Sequence, residues 1–258
     1  MRPLILCLPV LFATTAIPCQ DQATEVEVFE ISVHKKPSMK GASSFTQLGT
    51  ELKLAAKIPG TTIISLDKKA TKLTSFVDDA GTDLAAGVSK GFFYWVSMSK
   101  GFGTKAAKDV VTLRIRSKTL PGAKAARLKL KADIVFVTAT GTDKAKQKLT
   151  LEKGKKITVG PFAMKIAKVK NALGKIELEL QSTTELHAIQ KFEFFDSAGK
   201  PIETENKGSG SFGFLDTKTY SKSFGLATKD PGVTVEVTFH KNLKKVTLPL
   251  DLDLGLGL

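Results

Sequence analysis

Alternation of apolar and polar positions is the dominant pattern along this chain. It recurs near the start, in the middle and at the end of the sequence, in Val26 to Val33, Ile176 to Leu180, Val233 to Phe239 and Leu248 to Leu254. A period of two residues is typical of half-buried β-strands, which turn one face to a core and the other to solvent. The segment from Lys124 to Ala132 is the nearest approach to an amphipathic helix, but Leu128 and Leu130 alternate with basic residues and favour a strand. We therefore predict an all-β protein.

Two stretches about 118 residues apart are nearly the same: Phe76-Val-Asp-Asp-Ala-Gly81 followed by Leu84, and Phe194-Phe-Asp-Ser-Ala-Gly199 followed by Ile202. Aspartate and glycine in this order fit a tight hairpin turn, since aspartate bonds to nearby backbone and glycine adopts the left-handed conformation. Further matches lie at almost the same offset: Lys100-Gly-Phe-Gly103 with Lys222-Ser-Phe-Gly225, and Val111-Thr-Leu-Arg-Ile115 with Val233-Thr-Val-Glu-Val237. The repeat predicts one small all-β unit used twice.

The spacing of turn signals suggests which all-β fold these units have. Glycine and proline punctuate the chain at intervals of about 8 to 15 residues, which leaves six or seven short strands in each unit. This favours two tandem β-sandwich domains of immunoglobulin or fibronectin type from an internal duplication, with a small barrel as the alternative. We place the domains at residues 25–140 and 144–258, in contact across a short join.

The first 19 residues have the features of a secretory signal peptide. Met1-Arg2 supplies a positive start, residues 4–12 are apolar, and residues 13–16 are small. A permanent membrane anchor needs about 20 apolar residues, so we expect no transmembrane helix here or later in the chain. The protein should be exported, and therefore periplasmic, envelope-associated or extracellular.

Cys19 raises the alternative of a lipid anchor at the first residue after the signal. Pro18 argues against it, because lipoprotein processing requires a small residue directly before the cysteine. From Gln20 onward the chain contains no cysteine, which excludes disulfides and cysteine-based metal sites in the folded region.

The formal net charge of +14 would draw an exported protein to anionic material, such as an acidic polysaccharide or another component of the envelope. The alternative is that the lysines are scattered solubilising charges. No nucleic-acid recognition module is present, so we expect no sequence-specific contact with nucleic acid.

Catalytic and cofactor chemistry has little support in the sequence. The three histidines are far apart, the Gly-x-Ser-x-Gly pattern of a nucleophile elbow is absent, and the glycine-rich segment 208–213 lacks the ending of a phosphate loop. Asp251 and Asp253 share one strand face, where solvated positions explain them better than a calcium site or an acid and base pair. We expect no catalytic residue, no metal and no cofactor.

An aromatic run, Gly91-Phe-Phe-Tyr-Trp-Val96, is the first candidate contact surface. Alternation places Phe93 and Trp95 on one strand face, opposite Phe92, Tyr94 and Val96. If the latter face is core, Phe93 and Trp95 offer a surface for sugar stacking or partner binding. The alternative is that they pack against the neighbouring unit.

A basic stripe is the second candidate surface. Its members are the outward positions of two neighbouring predicted strands: Arg114, Arg116 and Lys118, then Arg127, Lys129 and Lys131. If these strands pair as a hairpin across Pro121-Gly122, six cations share one face. Adjacent like charges are unfavourable without a counter-charge, which suggests an anionic partner.

Together these observations predict an exported, non-enzymatic binding or structural module for an anionic glycan or another acidic partner. The first alternative is a secreted carbohydrate-active enzyme or other hydrolase whose carboxylates are dispersed in the sequence. The second is an accessory chaperone or inhibitor with a sheet edge that accepts a partner strand. The sequence leaves the identity of the ligand and the oligomeric state open.

Overall fold

The computed structural model describes residues 24–34, 48–88, 95–100, 107–172, 174–214 and 217–256. These residues form sixteen β-strands and one 3-10 turn at Ala85–Gly87, with no α-helix among them. All strand ladders are antiparallel. The all-β prediction is therefore confirmed. The predicted signal peptide, Cys19 and Phe93 lie outside the described residues.

Two sheets surround a first hydrophobic core. Sheet I has the order β1-β2-β6-β5, with β1 at Glu25–His34, β2 at Gly49–Lys57, β6 at Val110–Ser117 and β5 at Val96–Ser99. Sheet II has the order β16-β7-β3, with β16 at Lys244–Gly255, β7 at Arg127–Ala139 and β3 at Thr62–Leu66; β4 at Lys72–Asp78 also pairs with β7. Residues of both sheets form the first core, which includes Leu54, Leu113, Leu130 and Leu250.

Two further sheets surround a second core. Sheet III has the order β13-β14-β11-β10-β9, with β13 at Thr204–Phe214, β14 at Thr217–Leu226, β11 at Lys175–Ser182, β10 at Phe162–Ala172 and β9 at Lys156–Val159. Sheet IV has the order β12-β15-β8, with β12 at Ile189–Phe195, β15 at Gly232–Lys241 and β8 at Gly141–Thr150. The second core includes Leu178, Phe194, Phe224 and Val235.

The alternating sequence pattern explains which side chains enter each core. In β7, exposed Arg127, Lys129 and Lys131 alternate with fully buried Leu128 and Leu130. Burying such leucines provides the main stabilising free energy, while the lysines and arginines between them stay in water. This pattern confirms that the segment near Lys124 to Ala132 is a strand and not a helix.

The last strand, β16, belongs to sheet II and not to the sheets of the second core. It pairs with β7 over its whole length, from Lys244 opposite Thr138 to Gly255 opposite Arg127. Its Leu248 and Leu250 are buried in the first core. The end of the segment that the sequence analysis assigned to the second domain thus contributes its apolar face to the first core.

A single long ribbon connects the two cores. Only Thr140 separates β7 from β8, and only Asn242 and Leu243 separate β15 from β16. Because β7 pairs with β16 and β8 pairs with β15 in one unbroken register, residues 127–150 run antiparallel to residues 232–255. Both connections between the cores are therefore strands of the same ribbon.

The sheets around the two cores have matching strand orders. The order β1-β2-β6-β5 in sheet I has the same chain sequence as β10-β11-β14-β13 in sheet III. Likewise, β4-β7-β16 in sheet II corresponds to β12-β15-β8 in sheet IV. The third strands differ in their place in the sequence, because β16 follows the other strands of its sheet, whereas β8 precedes those of its own.

The repeated aspartate segments have the same hydrogen bonds. Leu84 N donates to Phe76 O and Ile202 N donates to Phe194 O, both at 2.8 Å, and Gly81 and Gly199 have φ of 86° and 81°. Each turn folds back through one isolated bridge and not through a hairpin ladder.

One of the other sequence matches does not correspond to equivalent strands. Residues 111–115 lie in β6, in the interior of sheet I, whereas residues 233–237 lie in β15, at the centre of sheet IV. By strand order, β6 corresponds to β14. This match therefore gives no support to the repeat.

Candidate ligand-binding groove

The predicted basic stripe is not one surface. Its first row follows β6 in sheet I, and its second row lies on β7 in sheet II. The connection from residue 118 to 126 carries the chain from one sheet to the other, so the two strands do not form the predicted hairpin. The prediction that six cations share one face is wrong for this reason.

One carboxylate of the neighbouring strand β2 pairs with two of the three cations of the first row. Glu51 on β2 accepts a hydrogen bond from Arg116 Nε, and its Oε1 forms an ion pair with Arg114 Nε at 3.1 Å. The Glu51 side chain is only 12% exposed, so it is held between these guanidinium groups. Lys118 is exposed just after the end of β6.

The second row is paired in the same way, by the acidic residues of β16. Arg127 Nε donates to Asp253 Oδ1 at 2.8 Å, and Lys131 Nζ lies 3.0 Å from Asp251 Oδ2. The hydrogen bond from Arg127 holds the pKa of the Asp253 carboxyl below its ordinary value. Lys129 is exposed between them. The chain itself thus supplies carboxylate partners for four of the six cations of the stripe.

Of the predicted aromatic pair Phe93 and Trp95, only Trp95 is among the described residues, and it is buried. It is 8% exposed and belongs to the first core. This position favours packing inside the protein over an exposed binding surface. The sequence analysis did not single out the most exposed aromatic side chain of the described residues, Phe212 on β13, which is 79% exposed.

A groove of about 670 Å³ lies where the residues around the two cores meet. One wall comes from β3, β5 and the residues that follow them, and the other comes from β13, β14 and the segment before β12. Its lining residues are Ile64, Ser65, Leu66, Lys68, Ser97, Met98, Lys100, Leu186, His187, Ile189, Ser209, Gly210, Ser211, Lys218, Tyr220, Ser221 and Lys222. Its size is typical of small-molecule sites.

Four lysines give the groove a positive charge. Lys68 and Lys100 come from the first wall, Lys218 and Lys222 from the second, and no described lining residue is acidic. Partial burial lowers the pKa of both Lys100 and Lys222. Within the described part of the chain, neither of these two ammonium groups has a carboxylate within 4 Å. Lys222 is partly buried and Lys100 is exposed at the groove, and two cations without a counter-ion create a favourable environment for an anion.

Aromatic rings hold the two lysines of β14. Lys222 Nζ lies 5.5 Å from the centre of the Phe192 ring, and Lys218 Nζ lies 5.2 Å from the centre of the Tyr220 ring. Cation–π contacts of this kind orient an ammonium group without neutralising its charge. Both lysines therefore keep their charge available to a ligand.

Tyr220 and His187, which line the groove, share the carboxylate of Glu185, which is not itself a lining residue. Tyr220 donates its hydroxyl to Glu185 Oε1 at 2.8 Å, and His187 Nδ1 lies 3.3 Å from Glu185 Oε2. Burial and then the hydrogen bond to Glu185 raise the pKa of Tyr220 to about 12. Tyr220 thus stays neutral at physiological pH and is not an activated base.

Two of these lysines lie in a sequence repeat that indicates no binding role by itself. Lys100 and Lys222 each begin a Lys-x-Phe-Gly segment. Because a groove between two units depends on how the units approach each other, no local pattern identified Lys68 or Lys218.

No group of three or more histidine, cysteine, aspartate or glutamate side chains among the described residues is arranged to hold a metal ion. No helix in the described ranges has the length and apolar character needed to cross a membrane.

The chain matches no protein-family model, no curated protein and no solved structure.

Proposed function

We propose that this chain is an exported, non-enzymatic binding protein that holds an anionic ligand in the groove between two β-sandwich domains. The observation that carries the proposal is the pair of lysines, Lys100 just after β5 and the partly buried Lys222 on β14, that line one groove from opposite walls. Export is proposed from the sequence of the first 19 residues.

Two separate cores support the proposed domain architecture. Each core is surrounded by two antiparallel sheets, as in an immunoglobulin-type sandwich. The matching strand orders and the identical turns at Gly81 and Gly199 support an origin by internal duplication. In this proposal, β16 takes in the first domain the place that β8 takes in the second.

The charges around the groove support an anionic ligand. Four of the six cations of the basic stripe form ion pairs with Glu51, Asp251 and Asp253, whereas Lys100 and Lys222 have no such partner in the described structure. An acidic group that entered the groove would therefore replace water at both lysines without displacing a carboxylate. An oligosaccharide with uronate or sulfate groups fits this requirement, and the serines of both walls offer hydroxyl groups to its polar substituents.

The hydrolase alternative gains no specific support from this groove. Acid and base chemistry on a glycoside needs two carboxylates on opposite sides of the bond. No carboxylate of the described residues lines the groove, so its described lining does not supply this pair.

Calorimetric titration with a tetra-uronate oligosaccharide tests the proposal. We expect the double substitution Lys100→Gln and Lys222→Gln to weaken binding at least tenfold. The matched control is Lys129→Gln with Lys131→Gln, which removes the same charge from β7 outside the groove and should change the affinity less than twofold.

Two results would contradict the proposal. Equal losses in both variants would show that binding follows net charge alone. Tight binding of a neutral oligosaccharide of the same length would show that the lysines do not select the ligand. Comparing 50 mM with 200 mM salt separates diffuse attraction from contact in the groove, because exposed charges are screened more strongly.

A further inference from the structure

The groove has an apolar floor in addition to its lysines. Five apolar side chains from both walls line it: Ile64, Leu186 and Ile189, which are buried, and Leu66 and Met98, which are partly exposed. Leu66 and Met98 are only partly buried against the first core, so part of their apolar surface stays open to the groove. Apolar and cationic surfaces thus adjoin within one cavity.

We propose that the ligand is an amphipathic anion, with an acidic group at the lysines and an apolar body on this floor. The inference rests on the proposed function and narrows its ligand class. A fully hydrated polyanion would use the charges but leave the open surfaces of Leu66 and Met98 in water. A ligand with both parts covers them and gains the hydrophobic contribution as well.

The size of the groove favours one soluble molecule over a membrane surface. A volume of about 670 Å³ accommodates a single small ligand. The lysines come from the same walls as the aliphatic side chains, so charge and apolar contact are satisfied by one compact molecule. A monomeric alkyl phosphate or fatty acid has this chemistry.

A chain-length series of alkyl phosphates below their micellar concentrations tests the inference by calorimetry. We expect octyl phosphate to bind about 15-fold more tightly than hexyl phosphate, since each buried methylene contributes about fourfold. Octyl glucoside, which lacks the charge, and inorganic phosphate, which lacks the chain, should both bind at least tenfold more weakly than octyl phosphate.

Substitutions assign the two parts of the ligand to the two surfaces. Met98→Ser should abolish the dependence on chain length and leave binding of tetra-uronate within twofold. The matched control is Phe29→Ser, which removes an apolar side chain that is 51% exposed on β1, outside the groove lining. It should change neither the dependence on chain length nor the binding of tetra-uronate. A cooperative thermal transition in both variants would show that the fold is intact, even if the loss of the Met98 contact with the first core lowers its midpoint.

Each outcome separates this inference from the proposed function. Alkyl phosphates whose affinity is independent of chain length, together with lysine-dependent binding of tetra-uronate, would overturn the amphipathic ligand and leave the anion site standing. Chain-length dependence that survives Met98→Ser, or binding to acidic vesicles without binding of the monomer, would overturn it as well. If neither tetra-uronate nor an alkyl phosphate shows binding that depends on Lys100 and Lys222, both the amphipathic ligand and the proposed function are overturned.

Discussion

Asp78 and Asp196 occupy the same position in two matching turns, yet they have different partners. One carboxylate oxygen of each accepts the backbone N–H four residues later, at 2.7 Å from Thr82 and 2.8 Å from Lys200. Asp78 also uses its second oxygen, which accepts the N–H of Gly122 at 2.7 Å. Gly122 lies in the connection from β6 to β7, so Asp78 fastens the turn to the segment that joins sheets I and II.

We predict that Asp78→Asn lowers the free energy of unfolding more than Asp196→Asn does. The amide NH₂ of an asparagine would face a backbone N–H in the buried site, and the loss should be about 1.5 to 3 kcal/mol for a hydrogen bond to a charged group. Asp196→Asn keeps its contacts within one exposed turn and should cost about 1 kcal/mol or less. Urea unfolding of both variants measures the difference, and equal losses would contradict it.

The effect of Asp78 should also depend on pH. Burial alone would raise the pKa of this carboxyl, but the backbone N–H groups of Gly122 and Thr82 outweigh burial and hold the pKa below its ordinary value. A carboxyl with a lower pKa in the folded state stabilises the protein above the unfolded-state pKa, about 3.9, and loses that effect as pH falls through the folded-state pKa. The gap between the wild type and Asp78→Asn should therefore narrow below about pH 4.

The strand β16 shows how one element can be assigned correctly and its partner missed. Its alternation of leucine with aspartate predicted a half-buried strand, and Leu248 and Leu250 are indeed buried. Its partner β7 lies more than 100 residues earlier in the chain. Pairing over such a distance depends on which sheet has an unpaired edge next to an incompletely covered core. A local sequence pattern carries no information about this.

The same limit explains the error in the basic stripe. The pattern correctly predicted which residues of β6 and β7 face outward, because alternation is a local property. It assumed that consecutive strands pair, whereas the chain crosses to another sheet between Ser117 and Arg127. The groove was beyond local reasoning for a related reason, since its walls come from strands around two different cores.

We predict that Leu250→Ala on β16 destabilises the first core by about 2 to 5 kcal/mol, the usual cost of truncating a buried leucine. Trp95 is the single tryptophan of the chain and lies in the first core, so its fluorescence reports on that core. Asp251→Asn is the matched control on the exposed face of the same strand. It removes only a solvent-exposed ion pair with Lys131 and should leave the urea midpoint almost unchanged. An undisturbed tryptophan transition in Leu250→Ala would contradict the role of β16.

At the scale of the whole molecule, the two cores differ in whether their strands come from one continuous segment of the chain. All strands of sheets III and IV, from β8 to β15, lie within residues 141–241. The first core takes its strands from both sides of that segment, because β16 follows it. The second core is thus encoded by one continuous stretch, and the first core by two.

We therefore predict that a fragment of residues 141–241 folds alone, whereas a fragment of residues 24–140 does not. Without β16, the first core would expose the apolar surface that Leu248 and Leu250 cover, and β7 would lose a ladder of twelve residue pairs. Circular dichroism and thermal unfolding test the first fragment, and the emission of Trp95 tests the second. Cooperative folding of residues 24–140 with a buried Trp95 would contradict the prediction.

An internal deletion supplies the rescue experiment. Joining Thr140 directly to Asn242 removes the second core and leaves four residues, Ala139, Thr140, Asn242 and Leu243, between the paired residues Thr138 and Lys244. A connection of this length is ordinary for a hairpin, so β16 can return to β7 in its native register. The variant with residues 24–140 joined to 242–256 should bury Trp95 and unfold cooperatively. Because the deletion removes one wall of the groove, the same variant should fail to bind tetra-uronate, which separates the folding of the first core from the formation of the ligand site.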